Sequence, residues 1–146
     1  MDASKLINSL ANRFGLNGME PEPEGHFEFH FDGKLILNIL AEGRNRLLLF
    51  SPICRIPQDD AHAAEQKVKK MMKMNLGKLA DSHEMLAYEE ESHEMVIYRR
   101  LETAGLTVDN FEEIVETYLN NLEFWMATPT QEATSFQRPP MNMFFP

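Results

Sequence analysis

The stretch HFEFHFDGKLILNIL, residues 26–40, decides the fold class of this chain. Its first half alternates strictly, so in a strand the three phenylalanines lie on one face and the histidines and glutamate on the other. Asp32 and Gly33 follow, and this pair is the strongest short signal for a type I′ turn, in which both central residues have positive φ. Residues 34–40 continue as a second strand. The sequence therefore predicts an antiparallel hairpin.

The second strand of this hairpin and the next strand, residues 46–54, are apolar on both faces. A strand of this kind is covered on both sides or exposes one side to a partner. Pro52 is expected to end regular pairing or to mark an edge or a bulge. Three helices are too few to cover both faces of a five-stranded sheet. We therefore expect some apolar residues on one face to bind another chain, namely Ile36, Leu40, Leu48 and Phe50.

Three amphipathic segments and two further strands complete the chain. Apolar residues recur with helical spacing in the three segments, and N-caps are predicted at Asp59 or Asp60 and at Thr107. The predicted helices are residues 3–14, 61–79 and 107–126, and the further strands are residues 85–90 and 94–100. The order α-β-β-β-α-β-β-α, with tight turns between consecutive strands, predicts an α+β fold with a twisted antiparallel sheet packed by helices.

Length and charge limit the classes of protein to which this chain can belong. The 146 residues fit one domain, residues 1–126, followed by a Pro/Thr-rich tail with an apolar end, residues 127–146. The net charge of −9 argues against binding to nucleic acid. The longest apolar run, residues 47–50, is far shorter than the roughly 20 residues that span a bilayer, and no secretory signal is predicted. The single cysteine, Cys54, excludes an internal disulfide and suits a reducing compartment.

Few polar residues converge in a way that would support catalysis. His26 and His30 share a strand face but lie roughly 13 Å apart there, too far for one zinc ion. His83 and His93, each followed by a glutamate, precede two strands whose starts a hairpin places at opposite ends. Cys54 has no histidine or acid at a family spacing, and the chain contains no glycine-rich phosphate loop. We therefore predict that the protein is not an enzyme and uses no metal or cofactor.

Soft apolar side chains are unusually abundant. The chain has 10 methionines and 10 phenylalanines among its many acidic residues. Such side chains fill an irregular core or form an adaptable surface for binding other proteins. The Met71, Met72 and Met74 cluster and the apolar strand face are the two surplus patches. Either could close a homodimer, and the other could bind an extended client chain.

Several short motifs recur in the order found in one known family. They are Leu6, Ile7, Leu10 and residues 14–16 near the start; residues 50–53 and 56–57 before Asp59 and Asp60; Met71, Met72, Asn75 and Leu76; and Trp125. These motifs, together with the size and acidity of the chain, make residues 3–126 resemble the class I chaperones of bacterial type III secretion, the Tir-chaperone family. Ser82 and His83 stand where that family often has glycine, before the fourth strand.

The resemblance implies a function and a set of partners. Members of the family are cytoplasmic homodimers in bacteria that hold the N-terminal segment of a secreted effector in extended form, soluble and secretion-competent, without ATP or metal. The secretion ATPase is a further candidate partner. The alternative is a regulatory adaptor of the same fold that sequesters a transcriptional regulator of the secretion system.

The resemblance also implies two sets of site residues. The second helix and the nearby strand would form the dimer seam, and the first helix and the sheet would bind the effector. The seam residues are Val68, Met71, Met72, Leu76, Met85 and Leu86. The effector-binding residues are Leu6, Leu10, Phe14, Phe27, Ile36, Leu40, Leu48 and Phe50.

The apolar end of the tail suggests a hypothesis of its own. An exposed apolar segment invites aggregation, so these side chains are expected to occupy the client groove when no effector is bound, in the same chain or in the partner subunit. They are Met141, Met143, Phe144 and Phe145.

Overall fold

The predicted order of helices and strands is confirmed. The computed structural model describes residues 3–15 and 25–130, with side chains up to Ala127. The elements are α1 (Ala3–Arg13), β1 (His26–Phe31), β2 (Leu35–Ala41), β3 (Arg46–Arg55), α2 (Ala61–Lys78), β4 (Met85–Glu89), β5 (Glu94–Glu102) and α3 (Val108–Thr130). The apolar residues at the end of the tail lie outside the described residues.

The strands form one antiparallel sheet in the order β1-β2-β3-β5-β4. The β1–β2 turn has the predicted geometry, since φ is 54° at Asp32 and 72° at Gly33. The Lys34 amide donates to the Phe31 carbonyl at 3.2 Å and closes this turn. The register of β3 against β5 shifts between Pro52 and Cys54, so Pro52 marks a bulge, one of the predicted outcomes.

Helices α1 and α3 pack on one face of the sheet, which we call the inner face. It carries the buried alternate residues of β1, β2 and β3, and the largest fully buried side chains of α3, Tyr118 and Trp125, belong to the same core. The Tyr118 hydroxyl donates to Ser51 Oγ at 2.8 Å, which fixes α3 over β3. Arg13, at the end of α1, pairs with Asp109 at 2.6 Å and joins α1 to the first turn of α3.

The helix starts follow the predicted caps, whereas one helix end differs. The Asp60 side chain accepts from the Ala63 amide at 3.0 Å, and Thr107 Oγ accepts from the Asn110 amide at 3.1 Å. Helix α3 extends past its predicted end at residue 126 to Thr130. Helix ends are set by the last few backbone hydrogen bonds, which composition alone does not specify.

Candidate protein-binding surfaces

Most of the apolar stripe of helix α2 is half-buried or exposed. Met71 is its one buried residue, although the sequence places many apolar side chains along the same side. The largest exposed apolar side chains of the described residues cluster on this helix, on β4 and on α3. We call this set the α2–β4 surface: Met72 (46% exposed), Leu76 (63%), Leu79 (47%), Met85 (44%), Tyr88 (47%) and Phe124 (38%).

The contacts of α2 with the rest of the chain are few and lie at one end of the sheet. Cys54 Sγ lies 3.7 Å from Met71 Sδ, and Lys67 Nζ donates to the Arg55 carbonyl at 3.2 Å. Burial raises the pKa of the Cys54 thiol, so the residue remains a neutral, small apolar group at physiological pH. This argues against a nucleophilic cysteine and for a packing role.

A cavity of about 390 Å³ opens between α2 and β4. Its lining is apolar, so it suits the side chains of another protein better than a charged ligand. The lining residues are Ile56, Val68, Met72, Leu86, Ala87, Tyr88 and Met95.

The second candidate surface is the face of the sheet opposite the inner face, which we call the outer face. The register aligns Glu28, Asn38, Phe50, Tyr98 and Met85 in one row across all five strands. Cross-strand partners share a face, so this row runs from one edge of the sheet to the other. A neighbouring row adds Leu40, Leu48 and Arg100.

Polar side chains of β1 border the apolar strip of the outer face. His26 Nε2 lies 2.7 Å from Asn38 Oδ1, and its ring stacks on Phe50 with centroids 5.8 Å apart. His30 Nε2 lies 2.6 Å from Glu28 Oε2. The two histidines therefore serve as partners for polar and aromatic neighbours on this face.

The structure divides the predicted effector-binding residues into two groups. Leu6 and Leu10 are 0% exposed and Phe27 is 5% exposed, because their side chains point into the core between α1, α3 and the sheet. They cannot contact an effector in this conformation. Phe14 is half-buried, with its ring edge against Phe31. The other four predicted residues, Ile36, Leu40, Leu48 and Phe50, are half-buried on the outer face.

The predicted seam residues divide in the same way. Met71 is 1% exposed, since it packs on Cys54 inside the chain, and its side chain is not available to a second copy. Val68 and Leu86 are half-buried in the wall of the cavity. The exposed residues of the predicted seam are Met72, Leu76 and Met85.

Some residues of the α2–β4 surface were not among the predicted site residues. Tyr88 and Phe124 come from β4 and α3, and only the tertiary structure brings them beside α2. The Tyr88 hydroxyl lies 3.1 Å from His93 Nδ1, and the Lys78 ammonium lies 4.0 Å from the centroid of the Phe124 ring. Leu79 could have been predicted from the sequence, because it continues the apolar stripe of the second helix.

A buried polar cluster, which no pattern in the sequence predicts, holds α3 against the start of β4. Asn121 Nδ2 donates to Glu84 Oε1 at 2.9 Å and to Ser82 Oγ at 3.1 Å. Arg99 lies 3.6 Å from the other oxygen of Glu84. Ser82 therefore has a structural role directly before β4, as the acceptor of a hydrogen bond from α3.

Other classes of site receive no support from the described part of the chain. Residues 3–15 and 25–130 contain no group of three or more His, Cys, Asp or Glu side chains that could hold a metal ion. Nor is any helix within these ranges long and apolar enough to cross a membrane. Glu94 pairs with Glu89, and Met85 pairs with Tyr98, so His83 and His93 precede opposite ends of the β4–β5 hairpin.

Solved structures share this fold. A chain in the crystal structure of the ExsC–ExsE complex aligns over 88% of this protein and 96% of its own length, with 24% identity and a TM-score of 0.63. A chain of the HopA1–SchA chaperone–effector complex covers 84% and 91%, at 15% identity and a TM-score of 0.66. The complex of the Yersinia pestis type III secretion chaperone SycH with a fragment of YscM2 gives 84% and 98%, at 13% identity and 0.59.

Sequence comparison identifies the family. No curated protein sequence matches the chain significantly. The family model of the Tir chaperone protein (CesT) family, however, matches residues 5–126, which include all five strands, α2 and most of α1 and α3. The chain therefore belongs to the Tir chaperone protein (CesT) family.

Proposed function

We propose that this protein is a type III secretion chaperone that binds the N-terminal segment of a secreted effector in extended form. The observation that carries the proposal is the apolar strip of the outer face, which a single chain leaves half-buried. The HopA1–SchA and SycH structures, which have the same fold, are complexes with another protein. A net charge of −9 would keep such a chain soluble while an apolar surface stays accessible.

The outer face suits an extended client in two respects. Its apolar strip, which includes Leu48 and Phe50, offers contacts for alternate side chains, and β1 forms one edge of the described sheet. Addition of a client strand to such an edge gives affinity through main-chain hydrogen bonds and makes few demands on the client sequence. The borders formed by His26, Glu28 and His30 can hydrogen-bond polar groups of the client.

We also propose that the protein acts as a homodimer in the bacterial cytoplasm. The α2–β4 surface supports this, since it contains six large exposed apolar side chains, and exposed apolar patches commonly mark protein–protein interfaces. It adjoins the outer face at the β4 edge, where Met85 belongs to both surfaces. The rest of each surface is available to a different partner, a second copy on one side and an effector on the other. Neither surface requires a catalytic group or a cofactor.

The test of effector binding begins with a tagged full-length chain, purified from its native cytoplasm, and identification of the protein that co-purifies. The binding of that protein's N-terminal segment is then measured with Phe50→Ser and Leu48→Ser variants. Each loses the burial of a large apolar side chain, so we expect affinity to fall about tenfold or more. Glu116→Ser, at an exposed position of α3, is the matched control and should bind normally.

Two results would contradict the proposal. One is a stable preparation without any co-purifying protein from cells that express the secretion system. The other is unchanged affinity of both outer-face variants. A transcriptional regulator as the co-purified protein would instead support the alternative role as a regulatory adaptor.

A further inference from the structure

The last residues of the chain differ in chemistry from the surface of the domain. Residues 131–146 contain one acidic and one basic residue, Glu132 and Arg138, and end in an apolar cluster after two consecutive prolines. Consecutive prolines favour an extended backbone and reduce the entropy lost when the segment binds. The apolar cluster, which we call the terminal segment, is residues 141–145: Met141, Asn142, Met143, Phe144 and Phe145.

The structure shows where the C-terminal half of α3 lies, the element that precedes residues 131–146. Asn121, in the C-terminal half of α3, contacts Ser82 and Glu84, which directly precede β4. The Phe124 ring lies beside Lys78 at the end of α2. The C-terminal half of α3 is therefore beside the β4 edge of the sheet, close to Met85.

Met85 is the first residue of the row that crosses the outer face to Glu28. The row spans four strand spacings of about 4.8 Å each, or roughly 19 Å. A chain of the length of residues 131–140 extends to about 33 Å. Helix α3 runs nine residues past Asn121 to Thr130, about 14 Å. Phe50 lies two strand spacings beyond Met85 along the row, roughly 10 Å. Because the connection of about 33 Å exceeds the sum of these distances, it is long enough for the terminal segment to reach Phe50 in its own chain.

We propose that the terminal segment docks on the outer face of its own sheet, over Phe50 and Leu48. This inference rests on the proposed function, because it makes the terminal segment an intramolecular competitor of the effector. Its methionine and phenylalanine side chains are apolar and adaptable in shape, which suits docking on an apolar strip. While the terminal segment occupies the strip, an effector can bind only the remaining chains. The apparent association constant for the effector is therefore the intrinsic one multiplied by the fraction of chains with a free strip.

The first experiment detects the contact directly and needs no effector. A photo-crosslinking phenylalanine analogue replaces Phe144 in the full chain, and the crosslinked peptides are identified by mass spectrometry. We expect crosslinks to β2, β3 and β5, and their loss when Phe50→Asp and Leu48→Asp are added. Crosslinks to the α2–β4 surface, or none at all, would overturn the proposal.

A mixture of isotope-labelled and unlabelled chains separates docking in the same chain from docking on a partner subunit. Crosslinked peptides should carry one label only. Mixed pairs would overturn the assignment to the same chain.

The second experiment measures exposure of the outer face with the dye ANS. Met141→Ser, Met143→Ser, Phe144→Ser and Phe145→Ser, combined in one variant, should raise dye fluorescence severalfold. A synthetic peptide of residues 139–146 should reverse this rise. Thr134→Ala with Ser135→Ala, in the connecting residues, is the control and should leave fluorescence unchanged. Unchanged fluorescence in the fourfold variant would overturn the proposal.

These outcomes are independent of effector binding. If the terminal segment does not dock, the binding test with Phe50→Ser and Leu48→Ser stands unaffected. If docking is found but those variants bind effector normally, the proposed effector site fails while the contact remains.

Discussion

At the scale of single residues, buried polar groups hold α3 in place. Tyr118 is fully buried, and its hydroxyl donates to Ser51 Oγ. Asn121 donates to Glu84 one helical turn further along α3. A buried polar group that loses its hydrogen-bonding partner keeps its desolvation cost. Removal of one partner should therefore lower the free energy of unfolding by more than the net contribution of the hydrogen bond.

Tyr118→Phe removes the hydroxyl and leaves Ser51 Oγ without this donor. We expect a loss of about 1–3 kcal/mol in the free energy of unfolding at pH 7, measured by urea denaturation. Half-buried Tyr98 supplies the control, since Tyr98→Phe should cost less.

The same variant should change the alkaline limit of stability. Burial raises the pKa of Tyr118, whereas a tyrosine in the unfolded chain titrates near pH 10. Above about pH 10 the unfolded state loses this proton first, so the wild-type chain becomes less stable as pH rises. Tyr118→Phe should lack this component of the decline. An identical slope in both proteins between pH 9 and 11 would contradict this assignment.

The Glu84–Asn121 contact is suited to a double-mutant cycle. We expect Asn121→Ala to destabilise the chain by about 1–3 kcal/mol because it leaves Glu84 with fewer donors. The combined Glu84→Gln and Asn121→Ala variant should lose less than the sum of the two single variants, by at least about 0.5 kcal/mol. Strictly additive free energies of unfolding would show that the contact contributes nothing.

At the scale of elements, the backbone conformation decides what a glycine contributes. Gly33 has φ of 72° in the β1–β2 turn, and a Cβ there would meet no atom within 4 Å. Gly77 lies inside helix α2. The same substitution should therefore have opposite effects at the two positions.

Gly33→Ala should destabilise the chain by about 1–2 kcal/mol, because a side chain is strained at positive φ. Gly77→Ala should stabilise it by up to about 1 kcal/mol, because alanine has the higher helix propensity. Thermal unfolding of both variants at one protein concentration measures the difference. The same sign for both would contradict the assigned conformations.

At the scale of the whole molecule, the two apolar surfaces determine what the chain binds. The α2–β4 surface includes Leu76, the most exposed large apolar side chain of the described residues. In the proposed dimer this residue becomes buried, and a charge placed there would have to be buried without a partner.

Leu76→Asp should convert the dimer into monomers, as measured by light scattering. The midpoint of thermal unfolding should rise with protein concentration in the wild-type chain and become independent of it in the variant. Gln66→Asp adds the same charge at an exposed position of the same helix and should remain dimeric. A wild-type monomer at micromolar concentration would refute the dimer, whereas a dimeric Leu76→Asp would place its interface elsewhere.

The sequence by itself determined the order of elements, the Asp32–Gly33 turn, a cap at Asp59 or Asp60 and one at Thr107, and the alternation that gives the sheet two apolar faces. These features depend on neighbours in the chain, so local patterns specify them. Only the tertiary structure decided that β3 pairs with β5 and that the helices α1 and α3 cover the inner face. It thereby buried Leu6, Leu10, Phe27 and Met71, left Phe50 and Leu76 accessible, and joined Glu84 to Asn121. The physical reason is that the alternation of residue types along a strand assigns each apolar side chain to one face of the sheet. Contacts between residues distant in sequence decide which of the two faces is covered.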